Sequence, residues 1–145
     1  MSAPTQVDPR GLRVAAGITA LVVAVVLVLP SPAREWLLAF QVAVFASATF
    51  LGLPRSPYAI LFARVVRPRI GAPAELEDSR PPRFAQLVGL AFTTVALVLL
   101  LLGATTAALV ATAFALVAAL LNASVGLCLG CELYLALRRF TPVRA

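Results

Sequence analysis

Four long apolar stretches, Val14–Leu29, Trp36–Leu53, Phe84–Leu102 and Thr105–Leu121, leave this chain few ways to fold. Each comes close to the ~20 residues that cross ~30 Å of hydrocarbon. None alternates polar and apolar residues with a period of two, so a barrel strand is a poor fit. Backbone groups in lipid must find their hydrogen bonds within the segment, and helices are the solution left. The composition agrees: 61% of residues are hydrophobic, against roughly 45–50% in soluble domains. The expected fold is all-α, an integral membrane domain of four transmembrane helices spanning residues 1–145.

The charge pattern orients this bundle. There is no Lys and no His, and the net charge of +6 comes from 12 arginines. Arg10 and Arg13 precede the first span, six arginines lie between Arg55 and Arg83, and Arg138, Arg139 and Arg144 follow the last. Only Arg34 falls in the other connections. Such a bias predicts a multi-pass inner (plasma) membrane protein with both termini and the central loop in the cytoplasm. In that setting the basic charge reports topology, and no nucleic-acid partner is expected; the bilayer is the first partner. Ser31-Pro32-Ala33 loosely matches a signal-peptide cleavage site. The first span has an internal counterpart, however, so a retained helix is expected.

That counterpart comes from an apparent duplication. Asp8-Pro9-Arg10 precedes the first span and Pro81-Pro82-Arg83 the third, 73 residues later. At the far end the offset is 74: Gly52-Leu53-Pro54-Arg55-Ser56-Pro57 falls on Gly126-Leu127-Cys128-Leu129-Gly130-Cys131, Arg64 on Arg138 and Pro68 on Pro142. Repeat 1 covers 8–70 and repeat 2 covers 81–143, joined by a cytosolic linker, 71–80. Each repeat holds two spans, so the copies share one orientation, as parallel repeats do about an axis normal to the membrane. Ser56-Pro57 is N-cap and first-turn chemistry, and opens a short basic stretch, Tyr58–Arg67, expected to lie at the interface. Glu132–Arg139 would be its equivalent. Without a break near Asn122–Gly126, Thr105–Arg139 would form a single helix of about 50 Å.

The two cysteines, Cys128 and Cys131, stand at the exit of the last span and are followed by Glu132. A thiol pair at this spacing and at a helix start suits thiol–disulfide exchange, since the helix N-terminus favours thiolate. By the repeat correspondence Cys131 takes the place of Pro57, the first helical residue. Cys128 is then the expected attacking thiol, Cys131 the resolving one, and Glu132 a proton relay or a charge facing the helix dipole. Simple packing, a structural disulfide and a metal site are the other readings. Metal is the weakest of these, with two thiols and no His. No ionisable residue lies mid-span, which removes the usual signature of an ion-coupled pump. Gln41, Gln86, Thr93, Asn122 and Ser124 are accounted for by interhelical hydrogen bonds, and the acids Glu75, Glu77 and Asp78 by nearby arginines.

Asp8-Pro-Arg, Arg55-Ser-Pro-Tyr58, Pro81-Pro-Arg-Phe-Ala-Gln86 and Cys128-x-Gly-Cys-Glu132 together resemble a family of small bacterial four-span membrane proteins catalogued as a domain of unknown function. The resemblance implies a role in thiol or sulfane-sulfur traffic beside a thioredoxin-like or rhodanese-like sulfurtransferase partner. It supplies no established catalytic residues. Cys128, Cys131 and Glu132 are therefore the expected site of a membrane thiol–disulfide or sulfur-relay protein. A small channel or transporter for a sulfur compound, and a membrane anchor with packed cysteines, are the alternatives. No cofactor is expected, although a quinone site with apolar walls would leave no sequence signature. A homodimer stays open.

Overall fold

The computed structural model describes residues 5–141, and nearly all of its regular structure is helical. Helix α1 (Pro9–Val28) starts where the Asp8 carboxylate accepts the Arg10 backbone N–H at 2.9 Å, with Pro9 in the first turn. It stops ahead of Pro30 and Pro32, which cannot continue a helix. Helix α2 (Ala33–Phe50) carries Glu35 in its first turn, where the dipole favours an acid. After the central loop come α5 (Arg80–Leu101) and α6 (Thr105–Val125).

Three helices, α1, α5 and α6, are long and apolar enough to cross a membrane. The stretch expected as a second span forms α2, which begins three residues earlier, takes in Arg34 and Glu35, and is not one of these three. Its 18 residues reach about 27 Å at 1.5 Å per residue. Trp36, Phe40 and Phe50 are exposed apolar residues on it, as Leu21, Leu101, Phe114 and Val125 are on the other helices.

The four long helices form a ring in the order α1–α2–α5–α6, each touching two neighbours. Small residues allow the closest approaches. Ala16, Ala20 and Ala119 are buried where α1 meets α6, and Gly17 faces Ala123. The Phe45 ring of α2 occupies the space beside Gly89 of α5, where any Cβ would come within 2.7 Å of it. The buried cluster Val26, Leu38, Ala96, Leu100 and Ala108 draws on all four helices and fills the end near the two short connections.

At the other end the helices are held by polar strapping. Arg13 Nη2 donates to the carbonyls of Ala123 and Ser124, and Arg83 Nε to that of Thr49 at 2.7 Å. These are last-turn carbonyls of α6 and α2, where the dipole favours cations. Arg10 is engaged instead by Asp8 and the Gly71 carbonyl. The linker is also more ordered than turn chemistry predicts. Its β2 (Glu77–Asp78) pairs antiparallel with β1 (Gln6–Val7), a two-residue ladder in an otherwise helical chain. Beyond β2, Asp78 binds Arg80 through backbone and side chain as Asp8 binds Arg10.

Each of α2 and α6 is followed by short helical pieces. After α2 come a 3-10 turn (Leu53–Arg55), α3 (Pro57–Leu61), a π turn (Phe62–Val66) and α4 (Arg67–Ile70). The π turn ends just ahead of Pro68, whose nitrogen has no proton for the carbonyl one helical turn back. After α6 comes α7 (Leu129–Phe140). The single 50 Å helix does not form: α6 ends at Gly126, which is left-handed at φ 73°. Pro142, Arg144 and the end of repeat 2 at 143 lie outside the described residues.

Candidate functional site

Only three residues separate α6 from α7, because Gly126 reverses the chain and Cys128, with extended backbone at ψ 100°, caps the new helix. The Cys128 Sγ accepts the Cys131 N–H at 3.2 Å. Leu129 and Gly130 fill the first two helical positions, so Cys131 is the third helical residue and not the first. The 74-residue offset misplaces it because the chain after α2 spends three residues on a 3-10 turn before α3 starts at Pro57, whereas after α6 it enters α7 with no such turn.

The two sulfurs are joined as a disulfide within that first turn, their Cα atoms 5.1 Å apart. Both cysteines are partly buried. Glu132 follows in the same turn and is exposed, a position suited to the helix dipole. The structure thus brings Cys128 and Cys131 into bonding contact and leaves Glu132 on the outer side of the turn. Among the described residues no group of three acids, cysteines or histidines could hold a metal ion.

Gly130 fixes how close this turn sits to the bundle. A Cβ there would lie 2.6 Å from both Cα and Cβ of Ala85, so α7 packs directly on the start of α5. The contact is extended by Phe84 against Tyr134, with ring centroids 5.6 Å apart.

The cysteines open onto a cleft of about 720 Å³ between the four helices, at the arginine-rich end. Its walls are mostly apolar, including Phe45, Phe92 and Phe114, with Ser56, Tyr58, Gln86 and Asn122 as polar points. Its floor is the packed end of the bundle described above. Sequence reasoning assigned Gln86 and Asn122 to helix packing and saw in Ser56-Pro57 only a helix start. The Ser56 side chain in fact makes no capping bond. Tyr58 opens the stretch expected at the membrane interface but is turned inward, where no role was foreseen for it. It is buried, its hydroxyl donates to Gln41 Oε1 at 2.7 Å, and burial pushes its phenol up to about 12. The one available signal was a Gln in the middle of an apolar span, which needs a polar partner.

At the mouth, Asp8 is held below the usual carboxylate range by its hydrogen bond to Arg10, and Asp78 likewise by Arg80. Both acids are thus ionised and paired at neutral pH.

A family model described as Domain of unknown function (DUF4395) matches residues 7–139, which takes in every element from the ladder to α7. No curated protein and no solved structure matches the chain.

Proposed function

The chain belongs to the DUF4395 family, a domain of unknown function, so its chemistry must come from its own residues, and we propose that it is a membrane thiol–disulfide exchange protein. The observation that carries this reading is the Cys128–Cys131 disulfide in the first turn of α7, set on the wall of an open cleft. In the exchange, a thiolate of a thioredoxin-like partner attacks Cys128 Sγ, and the S–S bond breaks with Cys131 leaving as thiolate. The partner's second thiol then attacks the mixed disulfide. The partner departs oxidised and this chain is left with two thiols. The Cys131 N–H aimed at Cys128 Sγ, together with the helix N-terminus, favours negative charge on that sulfur. Cys128 is accordingly the exchanging residue and Cys131 the resolving one. A rhodanese-like partner fits the same geometry. A Cys128 thiolate can take the outer sulfur of its persulfide, becoming a persulfide and releasing the partner's thiol.

The membrane arrangement in this proposal has α2 as a fourth span, two tandem repeats of equal orientation, and the cysteine end in the cytoplasm. Several contacts support it. In the ring, α1 against α6 and α5 against α2 are interchanged by a twofold. Thr49 and Ala123, which receive Arg83 and Arg13, are 74 residues apart, as are the positive-φ glycines Gly52 and Gly126. Ten of the 11 arginines among the described residues belong to the cleft side. The filled far end counts against a pore, since Val26, Leu38, Ala96 and Ala108 are fully buried across the bundle axis.

Acid-quenched thiol trapping in membranes tests the exchange. Cys131→Ser should accumulate a partner adduct on Cys128, whereas Cys128→Ser should form none. Identical trapping patterns in the two variants and the native protein would sink the proposal.

A further inference from the structure

A chain that oxidises a partner's thiols must itself be reoxidised, and the cleft is built to admit an oxidant. Resting on the exchange reading above, we propose that the cleft binds a lipid-soluble quinone, which takes the electron pair from Cys128 and Cys131. The volume of about 720 Å³ falls within the ~300–1,000 Å³ of small-molecule sites, enough for a quinone ring and the start of its tail. The walls suit a neutral aromatic ligand. Phe45, Phe92 and Phe114 offer ring faces, and the charged residues of the lining cancel, Arg13 and Arg67 against Asp8 and Glu77. An anionic sulfur compound would find no net positive charge there.

A quinone also needs hydrogen-bond donors for two carbonyl oxygens. Gln86 and Asn122 present amides to the cleft, from α5 and α6. Ser56 is the more telling residue. It is 6% exposed, lines the cleft, and its hydroxyl caps no backbone N–H although it holds the N-cap position. Its hydroxyl is not among the fully buried unpaired atoms, so it keeps access to the cleft and is free to donate to a ligand there. Phe92 of α5 and Phe114 of α6 line the cleft and are also exposed, and a ligand dissolved in the bilayer would enter beside them.

The reaction balances without a further reagent. Two S–H bonds break and one S–S bond forms. The two electrons and two protons pass to the quinone oxygens, leaving a quinol that diffuses back into the lipid.

Native protein in lipid nanodiscs, reduced with a phosphine that is then removed, supplies the test, with decylubiquinone as the probe. Loss of quinone absorbance and loss of free thiols should run together, at one quinol per two thiols, and Cys128→Ser should show neither. Gln86→Leu and Asn122→Leu should each raise the KM for decylubiquinone at least about fivefold while lowering kcat less. An azidoquinone should photolabel cleft residues and not the lipid-facing Leu21 or Val117. Thiols that persist with quinone, in protein that still exchanges with a disulfide-bonded thioredoxin, would overturn the quinone site and leave the exchange reading standing. Loss of both activities would remove both proposals. Unchanged KM in both Leu variants, or label spread over lipid-facing positions, would overturn the placement of the ring.

Discussion

Gln41 sits in an apolar helix, fully buried, with one half of its amide satisfied. Its oxygen accepts from Tyr58, while Nε2 has no partner among the described residues. The pair ties α2 to α3 across one wall of the cleft, so a residue that looks like a blemish in a span is a fixing point for the site. Tyr58→Phe strands the Gln41 oxygen. It should destabilise the protein by roughly 1–3 kcal/mol, the usual cost of an orphaned buried acceptor. Adding Gln41→Leu should recover part of that loss. Thermal unfolding in detergent measures both, and a silent Tyr58→Phe would mean that the bond carries no load. Sequence could name Gln41 as polar but not its partner, because 17 residues and a turn separate the two. The cysteines were legible for the opposite reason: their spacing is local, and chemistry between residues three apart needs no knowledge of tertiary structure.

At the scale of elements, the breaks in the chain were easier to read than the positions they create. Ser56-Pro57 marks where α3 begins, although Ser56 makes no side-chain cap bond, and Gly126 falls within the expected break and ends α6. The register of α7 was not legible: its cap is a cysteine, a residue that no capping rule favours, so the helix starts earlier than Glu132. The β1–β2 ladder was hidden as well, since two residues carry no periodicity. It is flanked by two Asp–Arg pairs whose acids have lowered pKa values in the fold, and this sets its pH response. A depressed carboxyl contributes stability that is present above its unfolded value of 3.8 and is lost as pH falls through the lower, folded value. Exchange of the amide hydrogens of Val7 and Ser79, corrected for intrinsic rates, should therefore be level from about pH 8 to 5 and rise below about pH 4. Opening near pH 6 would show that other groups hold the strap.

Taken whole, the molecule is closed at one end and hollow at the other. The closed end is made of residues that any apolar span could supply, which is why hydropathy foretold the helices but not the cleft. A cavity arises from what four helices fail to fill together, and no single segment encodes it. In the proposed orientation the hollow end faces the cytoplasm. With the native cysteines replaced by Ser, Ser79→Cys should react with an impermeant maleimide only after the membrane is permeabilised, and Ser31→Cys in intact cells. The reverse pattern would invert the map. In the proposed repeat, one difference between the halves is consequential: the turn after α2 carries Ser56-Pro57, and the turn after α6 carries the sulfur pair. In the proposed exchange such a chain has room for a single pair of electrons. It cannot accept a second pair before surrendering the first, so partner and oxidant must take strict turns. Its steady-state kinetics should then show parallel double-reciprocal lines, the mark of a carrier that is either full or empty.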